Sequence, residues 1–239
     1  MKKLSIVILF LIFAGCTTTK INPAPIFEIQ KGSRIGVINL VGKDMKHFGI
    51  KYDGTLSETE NPITSDIPYY INNEIQRQAA DLGYKVEILE VNEDIKRLLY
   101  NLTIKENNQI VLRPAMVPIF QQLSDDNNLS MLYIIKEAEG KFKIKNLYAA
   151  PRGYGMAIDL PGGIFSAFAI LKAEAVYLDP VSLTRGAECL EKKVLKGHVI
   201  SGKNEPTRKI LPQYEITEGI KQIINKFISD LLKNSNLRG

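Results

Sequence analysis

The chain has no tryptophan, two cysteines and two histidines in 239 residues. So few soft ligands leave little room for a zinc site, which needs three or four convergent side chains. A disulfide-rich scaffold is excluded on the same ground. No hydrophobic run reaches the roughly 20 residues that a membrane-spanning helix requires. A marked excess of charge of one sign is also lacking. Lys+Arg is 31 and Asp+Glu 26, a net +5, and two of the positive charges are Lys2 and Lys3. That excess is too weak to argue for nucleic acid as a partner, and no RNP-like or zinc-finger spacing supports one. What remains is ordinary: 45% hydrophobic and 24% charged residues describe a globular chain with enough apolar material for a sizeable core.

The N-terminus carries the strongest pattern. Lys2 and Lys3 form a positive start, Leu4 to Phe13 is apolar except for Ser5, and Ala14 and Gly15 are the small residues a signal peptidase needs. Cys16 follows at once. The ending Phe13-Ala14-Gly15-Cys16 resembles the lipobox of bacterial lipoproteins, with Phe13 where Leu is usual. The resemblance implies cleavage before Cys16, a diacylglyceryl group on its thiol and acylation of the new N-terminus. Residues 1–15 are then a signal peptide and 16–33 a lipidated tether, with Pro23 and Pro25 favouring extended geometry. Two or more acyl chains anchor stably where one does not. Thr17, where inner-membrane retention usually calls for Asp, implies the outer membrane facing the periplasm if the cell has two membranes. With Cys16 lipidated, Cys189 has no intrachain disulfide partner and is expected as a buried, inert thiol.

Beyond the tether, 34–41 reads as a buried strand and 42–61 as a long polar connection. Ser65 and Asp66 are good helix caps, Pro68 suits a first turn, and Ile67, Ile71, Ile75, Ala79 and Leu82 share one helical face ended by Gly83. Residues 84–91 alternate as a strand, and Asn92 caps a second helix whose face is Ile95, Leu98, Leu99 and Leu102. A third helix over 113–123 is disturbed by Pro118, and Asp125–Asn128 reads as a turn cluster. Met131 to Ile135 is a buried strand, 140–164 an irregular stretch, and 165–178 and 187–196 are β-like around a connection at 179–186. Ile216 to Leu231 marks an amphipathic helix, and 234–239 a polar tail. With no composition break and no recurring period, the expectation is a single α/β (α+β) domain over 34–233. It has a mixed β-sheet with helices packed on it, and a late β-hairpin followed by a C-terminal helix.

Three stretches carry a wider resemblance. They are the opening strand RIGVINL, the helix-to-strand passage AADLGYKV from Ala79 to Val86, and the hairpin AEAVYLDPVSLTRG from Ala173 to Gly186. In that order, after a lipidated tether, they resemble the envelope domains related to the curli-secretion lipoprotein CsgG and the N-terminal domain of TolB. Asp179, Thr184 and Gly186 stand at the family's turn positions, with two extra residues between Asp and Thr. The resemblance implies assembly, secretion or scaffolding roles without catalysis, and it transfers no catalytic residues.

The search for chemistry agrees with that expectation. There is no G-x-S-x-G elbow, and Asp125-Asp126 lacks the order of a calcium loop. His47 reads as a solvated loop histidine and His198 as a strand-end surface residue. Catalytic residues, cofactors and metal ligands are therefore all expected to be absent. The 149–164 stretch combines four glycines and two prolines with apolar side chains. It is expected to be a mobile partner-contact loop through Arg152, Tyr154, Met156 and Ile158. The functional expectation is a membrane-anchored envelope lipoprotein acting as a non-enzymatic assembly, scaffold or secretion-accessory component. Its partners are the membrane and an envelope protein or further copies of itself. The alternative is a lipid-anchored binding module for a small ligand or envelope polymer, with a hydrolase less favoured.

Overall fold

The computed structural model describes residues 28–50, 56–58, 63–107, 109–144, 147–149, 151–159, 164–195, 198–200, 208–210 and 213–237. Its strands are β1 (Arg34–Asn39), β2 (Asp44–Ile50), β3 (Leu56–Glu58) and β4 (Ile63–Thr64), followed by helix α1 (Ile67–Asp81) and β5 (Lys85–Ile88). Helix α2 (Glu93–Tyr100) leads into β6 (Thr103–Glu106) and β7 (Gln109–Leu112). A 3-10 turn (Pro114–Met116) then opens α3 (Val117–Asn127). The chain continues through β8 (Met131–Glu137), β9 (Phe142–Ile144), β10 (Leu147–Ala149), β11 (Gly153–Asp159), β12 (Ile164–Leu178) and β13 (Val181–Leu195). It closes with β14 (His198–Ile200), β15 (Arg208–Ile210) and α4 (Gln213–Asn234). This is the mixed α/β architecture expected, with the late hairpin and the C-terminal helix in place.

The central sheet is organised by two long strands. β12 and β13, of 15 residues each, pair antiparallel from Phe165 opposite Leu195 to Leu178 opposite Val181. The other edge of β12 is shared end to end by two shorter strands: β8 pairs with residues 171–177 and β11 with 164–170. The next row repeats the division. There β1 runs parallel to β8 and β2 parallel to β11. Beyond them lie β5, parallel to β1, and β3 and β4, antiparallel to β2. The sheet thus has two halves along its length, held together by β12 and β13. β6 with β7, β9 with β10, and β14 with β15 form small separate hairpins.

Alternation along the strands sorts the core into two layers. Ile35, Val37, Met131, Tyr133 and the odd-numbered residues 165–175 of β12 face α1 and α4. Ile38, Leu132, Ile134 and Val176 face α2 and α3, against Leu99 and Phe120. Gly36 lies on this second face because a Cβ there would come within 2.8 Å of the Leu129 side chain. In the other half of the sheet the second face carries a smaller cluster of Phe48, Ala157, Phe168 and Ile170.

Local signals explain the helix ends. Pro68 stands in the first turn of α1, where a missing N–H costs nothing, and Gly83 ends it at φ +87°. The Asn92 side chain accepts the Ile95 N–H at 2.9 Å, capping α2 as its spacing predicts.

Five expectations are corrected. The connection 42–61 holds β2 and β3, whose charged and polar residues hide strands that pair through backbone. Pro118 does not disturb α3: it stands in the first turn, and the helix runs on through Asp125 and Asp126 to a left-handed Asn128. The hairpin turn is two residues, Asp179 and Pro180, and the Arg185–Gly186 pair is a bulge opposite Glu174. At that bulge a Gly186 Cβ would lie 2.0 Å from the Ala173 carbonyl, so a side chain has no room. The end of the tether belongs to the body: Ile29 is buried, its carbonyl accepts the Tyr84 hydroxyl at 3.0 Å, and Gly32 N–H reaches Gly83. The tail does too, since Leu237 is buried and the Ser235 hydroxyl donates to Leu231.

Candidate functional site

The seam between the two halves of the sheet is where polar groups gather. It begins with a charge in an apolar strand. Lys136 projects from β8 onto the α2 face, and its ammonium donates to the Leu99 and Tyr100 carbonyls at 3.2 and 3.1 Å. These are the last carbonyls of α2, the negative end of the helix, so a cation satisfies them well. The Glu174 carboxylate on β12 lies 2.6 Å from the same ammonium, with the two side chains 6% and 9% exposed. Each member of such a pair needs the other, because a lone buried charge is costly. Lys172 adds a second, outer partner to Glu174 at 3.3 Å.

Fixing the end of α2 places Tyr100 over the gap between β1 and β2. Its hydroxyl donates to the Leu40 carbonyl at 3.1 Å. The Arg152 guanidinium lies 5.5 Å from the Tyr100 ring centroid, a cation–π contact, and 3.9 Å from Glu137. The other Glu137 oxygen accepts the Gly42 N–H at 3.0 Å. From the opposite face, the Tyr154 hydroxyl donates to the Gly42 carbonyl at 2.8 Å and shares a 2.7 Å contact with Ser65. The peptide that joins β1 to β2 is therefore gripped on both sides. Burial pushes the Tyr154 phenol up to about 12, so it stays a neutral donor at any physiological pH. The result is an open cleft of about 510 Å³, lined by Leu40, Gly42, Asp44, Lys46, Phe48, Tyr100, Glu137 and Arg152. Its lining combines mixed charge with an aromatic wall.

The residues read from sequence as a contact loop are divided by the structure. Arg152 is exposed at the mouth of the cleft. Tyr154 and Met156 are buried in the main core and Ile158 packs against it, so the mobile-loop reading is wrong for residues 153–159, while 150 and 160–163 lie outside the described residues. Gly153–Asp159 is a strand: Tyr154, Met156 and Ile158 alternate with Gly153, Gly155 and Ala157. The glycines answer close approaches. A Cβ on Gly153 would meet the Glu137 carboxyl at 2.8 Å, and one on Gly155 the Lys46 carbonyl at 1.8 Å. Cys16 and the leader lie outside the described residues, as does the side chain of His198.

His47 is not solvated as expected. It sits in β2, and among the described residues its buried Nε2 has no hydrogen-bond partner. Desolvation holds its pKa below the ordinary 6.5. Cys189 is buried, its thiol donating to the Ala169 carbonyl at 3.5 Å, and burial pushes it up to about 12. Sequence reasoning missed Tyr100, Lys136, Glu137 and Glu174. The signal for two of them was present: a Lys and a Glu inside otherwise apolar strands need a partner. Among the described residues no His/Cys/Asp/Glu group is placed to hold a metal, and no helix is long and apolar enough to cross a membrane.

No family model matches the chain, and no curated protein matches it. Solved structures with a related trace exist. A Xanthomonas campestris protein of the DUF330 family aligns over 90% of this chain and 89% of its own, at 8% identity and a TM-score of 0.41. The PelC dodecamer from Paraburkholderia phytofirmans aligns over 91% and 96%, at 9% identity and a TM-score of 0.33. A hypothetical protein from Chlamydia trachomatis aligns over 87% and 96%, at 9% identity and a TM-score of 0.38. Identity and superposition are both low, and these likenesses assign no role to any residue of this chain.

Proposed function

We propose that this chain is a lipid-anchored, non-enzymatic component of a bacterial cell envelope, with its body on the periplasmic side of the outer membrane where there are two membranes. The observation that carries the reading is the leader: a positive start, a short apolar run, and Cys16 directly after Ala14 and Gly15. The body suits an accessory role. Its polar groups at the seam are spent on holding secondary structure together, and the cleft they form offers Arg152 and Lys46 to a partner. The test is Cys16→Ser. It should abolish acyl labelling and release the body into the soluble fraction. A wild-type chain without lipid by mass spectrometry, and a variant that stays with membranes, would overturn the anchor.

A second reading rests on the cleft itself. A volume of about 510 Å³ with two cations, two carboxylates and two aromatic rings is of small-ligand size, which suits a binding module for a small ligand or a segment of an envelope polymer. Photo-crosslinking from position 46 in cells separates the readings: adducts to protein support the accessory component, and adducts to a small molecule or glycan support the module.

A further inference from the structure

Of the charged side chains that line the cleft, Glu137 is committed and the others are not. One Glu137 oxygen accepts the Gly42 N–H at 3.0 Å and the other faces Arg152. Arg152 itself is unspent. Its Nε stands 3.9 Å from Glu137, too far for a hydrogen bond, and among the described residues its guanidinium donates to no acceptor. The group is nevertheless held in place, by the Tyr100 ring at 5.5 Å and by the backbone bridge from Arg152 to Glu139. Its side chain is 49% exposed. A positioned, accessible fork of donors with no acceptor is a receptor for a planar oxyanion, which it can hold by two parallel bonds. The side chains of Asp44 and Lys46 likewise have no hydrogen-bond or ion-pair partner among the described residues.

The order of these charges follows from the strands. β2 and β11 run parallel away from the seam, with Lys46 opposite Gly155. Arg152 directly precedes β11 and so stands at the seam end, with Tyr100 and Glu137. Asp44 comes next along β2. Lys46 follows on the same face, since residues two apart on a strand point the same way. Outward from the seam the signs therefore alternate: positive, negative, positive. A free phosphate or a simple carboxylate on Arg152 would set its charge against Asp44, and a lone amine on Asp44 would meet two cations. The rings do not favour a stacked sugar, because Arg152 already lies over Tyr100 and Phe48 is 7% exposed.

What answers the pattern is a ligand that carries both signs. We infer that the cleft binds a small zwitterion with an α-amino-acid head group, its carboxylate on the Arg152 guanidinium and its ammonium on the Asp44 carboxylate. Lys46, further along, favours an acidic side chain over a basic one. The inference rests on the reading of the cleft as a small-ligand module, and it names the class of ligand.

The test is equilibrium dialysis of radiolabelled L-glutamate against the full-length chain in detergent micelles, at low salt, where exposed charges are least screened. Glutamate should bind saturably. N-acetylglutamate, which lacks the ammonium, and glutamate α-amide, which lacks the α-carboxylate, should each bind roughly tenfold more weakly, as the loss of one charged hydrogen bond predicts. Arg152→Ala should lose binding, and Arg152→Lys, which keeps the charge without the fork, should not restore it. Asp44→Asn should bring glutamate and N-acetylglutamate to the same affinity. Lysine should bind more weakly than glutamate, and Lys46→Glu should reverse that order. Thermal melts of these surface variants should stay within a degree or two of wild type, which separates lost binding from lost fold. The inference is overturned if glutamate does not bind, if N-acetylglutamate binds wild type equally well, or if Arg152→Ala binds like wild type. It is also overturned if Asp44→Asn keeps the preference for glutamate, or if Lys46→Glu leaves the glutamate–lysine order unchanged. The module reading is judged separately. It survives a failure with glutamate if photo-crosslinking from position 46 yields small-molecule or glycan adducts, and it falls if only protein adducts appear.

Discussion

Lys136 shows how a single side chain organises the seam. It closes the end of α2 and neutralises Glu174 at once, so its loss strands a buried carboxylate. Lys136→Met should destabilise the chain by about 3–5 kcal/mol, while Lys136→Met with Glu174→Leu should recover most of it. Urea denaturation of the three variants decides the matter, and a double variant no better than the single would refute the pairing argument. His47 gives a second test. Its pKa is held below the ordinary 6.5 by desolvation, so the unfolded chain takes up a proton before the folded one does. The stability tied to neutral His47 is intact above about pH 6.5 and is lost as pH falls toward the lower folded value. Replacing His47 with Leu should therefore flatten the fall in Tm between pH 7 and pH 5. A Tm difference that is the same at every pH would mean the ring does not titrate across folding.

At the scale of elements, β11 is the instructive case. Changing Tyr154, Met156 and Ile158 together to Ser should unfold the chain or cost more than about 4 kcal/mol, since two of the three are core residues. Arg152→Ala, at the exposed mouth of the cleft, should move Tm by no more than a degree or two. Thermal melts of the two variants check this, and a triple variant that melts like wild type would return the stretch to the surface. Elements with a strong period were legible in the sequence: β1, α1, β5, α2, β8, β12 and α4 all announce themselves by apolar spacing and capping residues. The strands that stayed hidden have a physical reason. β11 carries its apolar residues on one face and glycine on the other, so its glycines read as loop signals when they are answers to the Lys46 carbonyl and Glu137. β2 mixes Asp44, Lys46 and His47 with Met45 and Phe48, and its partner β11 lies over a hundred residues away. The cleft was the least legible part. Tyr100, Glu137 and Arg152 come from three separate elements, and no local spacing brings them together.

At the scale of the whole molecule, the arrangement of rows decides how the protein unfolds. Each half of the sheet has its own short strands, β1 and β8 in one, β2 and β11 in the other, which on their own would suggest two independent units. β12 and β13 pass through both, and α4 packs its buried face along them. Removing either half would expose half of β12 and much of α4 to water, a loss of hydrophobic burial that the remaining half has no means to replace. The N-terminal and C-terminal ends reinforce this, with Ile29 and Leu237 in the same core as Ile71 and Leu171. The chain from residue 28 to 237 should therefore unfold in one transition. Urea curves followed by circular dichroism and by tyrosine fluorescence should coincide, since the chain has no tryptophan to favour one region. The m-value should match a unit of about two hundred residues. Two separated transitions, or a stable fragment from limited proteolysis that ends near the seam at residues 40–43 or 138–152, would show that the long strands do not couple the halves.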